Sequence, residues 1–186
     1  MTDASRANPS ANPSANPRAN PFWDFSLALY ASAAVQKACL DLQDGCGVDV
    51  NVLLFALYLA ATGRAINEAE ASRVAASIEP WRVGVVVPLR TARRNLKEPP
   101  AAIEPKGAET LRAIVKKAEL EAERLQQAAL YAQAEGLGRA AAPGEAARVN
   151  IQSYGAALVT TNGGRQLANG PVGVMLAAFE AQLAKS

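Results

Sequence analysis

The sequence predicts an all-α protein, a bundle of five to seven helices around a central apolar helix at about residues 50–61. Half of the residues are hydrophobic, and many of them are alanine, which has the highest helix propensity. Aromatic residues make up only 5% of the chain, which is few for a β-sandwich or barrel. Apolar residues also recur at helical spacing between capping residues along most of the chain.

The first twenty residues form a separate region, because an Ala-Asn-Pro-Ser repeat begins at Ala7. Proline at every fourth position blocks both helices and sheet ladders, and the repeat offers nothing apolar to pack. The sequence therefore predicts a disordered tail over 1–20. A motif for a proline-recognising groove is the less favoured alternative, because the prolines are not spaced as PxxP.

The first folded segment begins where the repeat ends. Asn20 is placed to cap a helix, and Pro21 suits its first position. Helices are predicted over 21–30 and 33–44, and the glycines that follow, Gly47 among them, end the second one.

The central helix is expected to follow Asp49 as its N-cap. Residues 50–61 are apolar on all sides, which is typical of a helix in the middle of a bundle. Asn51 interrupts this run, and we expect it to satisfy loose backbone groups of the preceding turn. Asn67 then caps a further helix over 68–79.

A fourth helical segment is predicted over 80–97, opened by Pro80. Gly84 and Pro88 are unusual inside a helix, so a kink is expected between them. The β-branched string Val83–Val87 leaves a short strand as an alternative.

A long amphipathic helix is predicted over about 107–135, with a coiled-coil-like apolar seam. Glu121 breaks the seam at a core-type position and is spaced to pair with Lys117. The seam consists of Leu111, Ile114, Val115, Ala118, Ala122, Leu125, Ala129 and Ala132.

The predicted organisation is a helical domain over 21–135, a linker over 136–145, and a C-terminal helical segment over 146–186, packed on or beside the domain. Helices are expected at 146–161 and 171–184. The Asn162-Gly163 pair leaves a β-hairpin turn as an alternative between them.

Composition excludes several kinds of chemistry. The chain contains no histidine, which removes Ser-His-Asp and Cys-His catalysis and the commonest metal ligand. Cys39 and Cys46 cannot form a zinc site alone, and we expect them to be buried thiols. No leader segment or membrane span is apparent, so a soluble, cytoplasmic protein is expected, without metal or cofactor.

The segment 41–51 is rich in acids and glycines, like a calcium loop. Cys46 stands where such a loop requires glycine, and Val52 stands where it requires glutamate. The segment is therefore interpreted as a helix end, a turn and the next N-cap.

Basic residues cluster on the fourth helical segment, which carries no acid between Trp81 and Lys97. The favoured interpretation is pairing with the acidic first half, since residues 21–79 hold seven acids and three bases. Docking of an acidic protein partner is the second interpretation, and nucleic acid is unlikely without stacking aromatics. The candidate partner-binding residues are Arg90, Arg93, Arg94 and Lys97.

Several blocks of the sequence are similar to a small proteobacterial family that is known only as a numbered domain of unknown function. The resemblance covers roughly residues 22–130 and implies a small helical cytoplasmic protein without an established activity. No functional residues can be transferred. The blocks are Phe22-Trp23-x-Phe25-Ser26-Leu27-x-Leu29-Tyr30, Ala38-Cys39-Leu40-x-Leu42-Gln43-Asp44, Gly47-x-Asp49-Val50-Asn51-x-Leu53-Leu54-Phe55, Pro80-Trp81-Arg82, Pro88-Leu89-Arg90-x-Ala92-Arg93-Arg94 and Lys117-Ala118-Glu119-Leu120-Glu121-Ala122-Glu123.

The favoured functional hypothesis is a non-enzymatic accessory or protein-interaction module with an unknown protein partner, because catalytic, metal and phosphate-binding motifs are lacking. The alternative is an enzyme or small-ligand binder that uses acids of the first helical half. That alternative requires two of these carboxylates to face each other in a pocket. The acids are Asp24, Asp41, Asp44 and Asp49.

Overall fold

A computed structural model describes residues 20–159 and 165–185. The predicted tail and hairpin turn lie outside these residues, apart from Asn20. A π-helical turn, Arg82–Val86, joins α4 to α5. The helices are α1 (Pro21–Tyr30), α2 (Ala33–Cys46), α3 (Val50–Ala61), α4 (Glu68–Trp81), α5 (Val87–Asn95), α6 (Pro105–Ala132), α7 (Pro143–Val159) and α8 (Asn169–Leu183).

The all-α prediction is confirmed. Counting α4, the π turn and α5 as one rod gives seven helices in the described part of the chain, within the predicted number. The only sheet among these residues has two short antiparallel strands, β1 (Arg64–Ala65) and β2 (Arg139–Ala140). No helix in the described ranges is both long and apolar enough to cross a membrane.

Side chains cap the helices where the sequence predicts. The Asn20 side chain accepts hydrogen bonds from the first turn of α1, and Asp49 accepts one from the main-chain N–H of Asn51. Asn67 and Glu70 form a reciprocal capping box at the start of α4. Gly47 ends α2 with a φ of 71°, which glycine adopts without steric cost.

Helix α3 lies at the centre of the bundle, as its apolar sequence predicts. Leu53, Leu57 and Leu59 are completely buried within it. It packs most extensively against α7 and also contacts α1, α2, α4 and α6. Phe22 of α1 adds an edge-to-face contact with Phe55, with 5.3 Å between the ring centroids.

The predicted helix break at Pro80 is wrong, because α4 continues through this residue to Trp81. The chain then widens into the π turn, where the N–H of Val87 bonds to the carbonyl of Arg82. Pro88 has no N–H to donate to the carbonyl of Gly84, four residues earlier. The main chain accommodates the proline by changing locally from i→i−4 to i→i−5 hydrogen bonds. The expected disturbance is therefore a π turn, and the short strand is not formed.

Helix α6 packs a partly polar face inward. Glu119, Gln126 and Gln127 are buried, with Ala108, Ala122 and Leu130. Most of the predicted apolar seam lies beside this face and is exposed, including Leu111, Ile114 and Leu125. The seam therefore contributes little to the core of a single chain.

The segment predicted as a linker, 136–145, forms β2 and the start of α7. Gly138 precedes β2 with a φ of 76°, and a Cβ there would lie 3.0 Å from the carbonyl oxygen of Ala65. Only glycine fits this approach of the two strands. The pairing holds α7 close against α3 and α4.

Asn150 connects α7 to the α3–β1 region and is completely buried. Its Oδ1 accepts from the main-chain N–H of Ile66 at 2.7 Å. Its Nδ2 donates to the carbonyls of Ala56 and Arg64, both at 2.9 Å. One side chain therefore satisfies three main-chain groups.

Helix α8 packs against α2 through the buried side chains of Met175 and Phe179. Cys39 and Cys46 are buried, as predicted. The thiol of Cys39 lies 3.7 Å from the sulfur of Met175, and burial raises its pKa to about 12. A thiol in this state is a poor nucleophile.

Candidate functional site: a polar cluster and cavity beside helix α6

Two of the predicted partner-binding residues face α6. Arg90 donates from Nε to Glu119 at 3.2 Å and from Nη2 to Glu123 at 2.7 Å. Its Nη1 donates to the side-chain oxygen of Gln43. Arg93 pairs with the same Glu119 through two of its nitrogens. These two arginines thus bind α5 to α6 and, through Gln43, to α2.

The two glutamates of this cluster differ in their electrostatics. Burial tends to raise the pKa of Glu119, but hydrogen bonds and charge from Arg93 and Arg90 outweigh it, so the pKa is lowered. Burial dominates at Glu123 and raises its pKa, because Arg90 alone opposes it. Glu119 is therefore the carboxylate that the arginines stabilise in its charged form.

The other two predicted residues lie at the outer end of α5. Arg94 donates to the carboxylate of Asp44 at 3.1 Å, and its side chain is 49% exposed. Lys97 is exposed beyond the end of the helix. Pairing with the acidic first half is thus observed for Arg94, whereas Arg90 and Arg93 pair with acids of α6. The predicted group therefore divides into an inner and an outer pair.

A chain of three side-chain amides lies next to the ionic cluster. Gln127 donates from Nε2 to Asn51 at 2.8 Å, and Asn51 donates from Nδ2 to Gln126 at 3.0 Å. Gln126 in turn donates to the carboxylate of Asp49. The predicted role of Asn51, satisfying the preceding turn, is therefore wrong, because its side chain reaches across to α6.

Asp49 anchors this chain at the start of α3. Burial raises the pKa of its carboxyl group, although hydrogen bonds from Gln126 and the main chain oppose the effect. Its main-chain N–H donates to the hydroxyl of Tyr154 at 2.9 Å. The same residue therefore caps α3, orients the amides and contacts α7.

A cavity of about 140 Å³ lies where the ionic cluster and the amide chain meet. Its walls come from α1, α2, α3, α5 and α6. Leu27 and Leu120 are 51% and 53% exposed, so the cavity opens towards solvent between them. Its polar wall includes Arg90, Glu123 and Gln127. The apolar wall comprises Trp23, Leu27, Val50, Leu54 and Leu120.

The four acids of the enzyme hypothesis do not converge. Asp24, Asp41 and Asp44 are exposed on α1 and α2, and Asp41 pairs with Lys37 at 2.6 Å. Only Asp49 is largely withdrawn from solvent. Within residues 20–159 and 165–185 no group of three or more acids or cysteines could hold a metal ion. These four acids therefore offer no carboxylate pair for acid–base chemistry.

A second surface is the exposed seam of α6. Leu111 is 49% exposed, Ile114 is 60% exposed and Leu125 is 44% exposed. Ala118 lies between them on the same side of the helix and is also exposed. Large exposed apolar side chains in one row are typical of an interaction surface.

The comparison with known proteins agrees with the sequence resemblance. A family model described as a protein of unknown function (DUF2390) matches residues 21–130. The chain belongs to this family. The DUF2390 match covers α1 to α5 and most of α6, and therefore both the ionic cluster and the amide chain. No curated protein and no solved structure matches the chain.

Sequence reasoning missed most of this DUF2390 site. The apolar seam is the predicted packing face of α6, and the sequence prediction assigns no role to Glu119, Gln126 or Gln127. A signal was present in Asn51, a polar residue within an otherwise apolar helix, since a buried amide requires a polar partner. One face of α6 carries acids and amides at helical spacing, and such a face supplies the polar partner that Asn51 requires.

Proposed function

We propose that this protein is a non-enzymatic interaction module whose first partner is a second copy of itself. The observation that carries the proposal is the exposed apolar seam of α6. The helix is 28 residues long, which corresponds to about 42 Å at 1.5 Å per residue. Heptad-like spacing along this length suits packing against another helix.

The seam is self-complementary in an antiparallel arrangement. Leu111 and Leu125 lie seven residues before and after Ala118. An antiparallel pair of α6 helices crossing at Ala118 brings Leu111 of each copy against Leu125 of the other. The small alanine at the crossing allows the helices to approach closely.

The charge that interrupts the seam is balanced within the chain. Glu121 pairs with Arg124 of α6 at 2.6 Å, and not with Lys117 as its spacing predicts. Glu121 therefore brings no unpaired charge to the seam.

Size-exclusion chromatography with light scattering over a range of concentrations tests the proposal. We expect the full chain to be a dimer. Leu111→Glu or Leu125→Lys alone should give a monomer, because each buries an unpaired charge in the seam. The double variant should regain the dimer, because the register places the new glutamate opposite the new lysine.

Leu40→Lys is the matched control, since Leu40 is 47% exposed on α2 and lies outside the seam. It should leave the dimer unchanged. A monomeric wild-type chain at all concentrations would disprove the proposal. A double variant that stays monomeric would show that the register is wrong.

Docking of an acidic protein partner is a second candidate function. It rests on the outer pair, Arg94 and Lys97, which are exposed at the end of α5. Arg90 and Arg93 would contribute less, because Glu119 and Glu123 already balance their charges. Replacing Arg94 and Lys97 with alanine should weaken capture of such a partner and reduce its salt dependence. Capture at unchanged affinity by the folded variant would contradict this function.

A further inference from the structure

We propose that the cavity beside α6 binds a small organic cation, a protonated amine with one compact apolar group, next to the carboxylate of Glu123. The proposal does not depend on self-association, because the cavity residues are not those of the seam. Three observations support it: a carboxylate oxygen without a partner, a local excess of negative charge, and a wall of aromatic and aliphatic side chains.

The oxygen without a partner belongs to Glu123, which lines the cavity. Its Oε1 accepts from Nη2 of Arg90 at 2.7 Å, and its Oε2 has no hydrogen-bond partner among the described residues. The side chain is 26% exposed, and Oε2 is not one of the unpartnered atoms that the described part of the fold closes off from solvent. A donor in the cavity therefore has access to this carboxylate, and a charged donor binds it about twice as strongly as a neutral one.

The local excess of negative charge comes from Asp49. The ionic cluster contains two arginines and two glutamates, and these charges cancel. Asp49 adds a third carboxylate next to the cluster, at the end of the amide chain. Arg82 is a cation whose charge acts on Asp49, but it is itself paired with Glu79. The ionised cluster and Asp49 together therefore carry one negative charge in excess, which attracts a cation.

The pKa values of the two raised carboxyl groups agree with this balance. Burial raises the pKa of Glu123, and the charges of Glu119 and Asp49 add to the effect, while Arg90 opposes it. Burial also raises the pKa of Asp49. A cation bound beside Glu123 would lower both pKa values, so the ligand and the carboxylates stabilise each other in their charged forms.

The remaining wall fits the apolar part of such an amine. Trp23 and Tyr30 are the aromatic residues of the wall, and the faces of aromatic rings attract organic cations. Leu54 and Leu120 add aliphatic surface. The volume of about 140 Å³ is close to that of an engineered apolar cavity of about 150 Å³ that binds benzene, so an amine of roughly six to eight non-hydrogen atoms fits.

Three benzene derivatives of nearly equal size test the sign of the charge: benzylammonium, benzyl alcohol and benzoate. Binding to the full chain can be followed by NMR, using the indole N–H signals of Trp23 and Trp81. We expect benzylammonium to shift the Trp23 signal and to leave that of Trp81 unchanged, since Trp81 is outside the cavity. Benzylammonium should bind about tenfold more tightly than benzyl alcohol, and benzoate should bind most weakly.

Two matched variants of α6 identify the carboxylate. Glu123→Gln removes the charge but keeps an oxygen for Arg90, and it should equalise the affinities for benzylammonium and benzyl alcohol. Glu121→Gln makes the same change in net charge at a carboxylate that pairs with Arg124 outside the cavity, and it should leave the preference unchanged. If Glu123→Gln does not fold, the three probes and the two tryptophan signals of the wild-type chain still decide the result.

Four results would overturn the proposal. Equal affinities of the wild-type protein for benzylammonium and benzyl alcohol would mean that the carboxylate contributes nothing to recognition. A preference for benzoate would mean that Arg90, and not Glu123, is presented to the ligand. A preference for benzylammonium that survives in Glu123→Gln, or disappears in Glu121→Gln, would place the cation elsewhere on the surface. An unchanged Trp23 signal at millimolar benzylammonium would mean that the cavity takes up no amine.

Discussion

Replacement of Asn150 tests how the C-terminal helices are joined to the bundle. Asn150→Leu removes one acceptor and two donated hydrogen bonds from a site with no solvent access. Each hydrogen bond contributes about 1 kcal/mol net, and a buried N–H of Ile66 left without an acceptor adds up to about 2 kcal/mol. We therefore expect the free energy of unfolding to fall by about 3–5 kcal/mol.

Chemical denaturation followed by far-UV circular dichroism measures this loss. Ser153→Ala is the matched control on the same helix, because Ser153 donates one hydrogen bond to the carbonyl of Ile66 at 2.9 Å. Its loss should be about 1 kcal/mol. A loss below about 1 kcal/mol for Asn150→Leu, or one no larger than that of Ser153→Ala, would refute the reasoning.

Two further changes test the polar cluster and the start of α3. Glu119→Gln should lower the free energy of unfolding by about 2 kcal/mol at neutral pH, since it weakens charged hydrogen bonds from Arg93 and Arg90. Because the folded state lowers the pKa of Glu119 from 4.5, this stabilisation is complete above pH 4.5 and is lost as the pH falls from there through the lowered value. The difference between the two proteins should therefore disappear in acid, and a difference that persists there would contradict this assignment. Tyr154→Phe should cost about 1–2 kcal/mol by leaving the N–H of Asp49 without its acceptor. An unchanged denaturation midpoint would show that solvent satisfies this group.

The sequence predicts the helices well where the local signals are self-sufficient. Asn20, Asp49 and Asn67 cap their helices by bonds within the next three residues, so their neighbours decide the structure. The central position of α3 also follows from its composition, because an all-round apolar helix has no stable solvent-exposed alternative.

Prediction was poorer where the outcome depended on a distant partner. The inward-facing side of α6 carries Glu119, Gln126 and Gln127, and burial of these groups becomes favourable only when Arg90, Arg93 and Asn51 are in place. The sequence of α6 by itself does not indicate which residues of other helices will pair with these groups. Its apolar seam instead produced the stronger periodic signal, although it faces outward.

The π turn between α4 and α5 also has a consequence for which mutations this region tolerates. A π turn contains one residue more than the α-helical path it replaces, and one residue corresponds to about 100° of rotation. Deletion of a single residue from Arg82–Val86 would be absorbed by closing the turn into the α-helical path, which keeps Arg90 and Arg93 facing Glu119. An additional residue has no such outlet and would turn the later side chains of α5 by about 100°, leaving Glu119 buried without a cation. Insertions in this segment should consequently be more damaging than deletions.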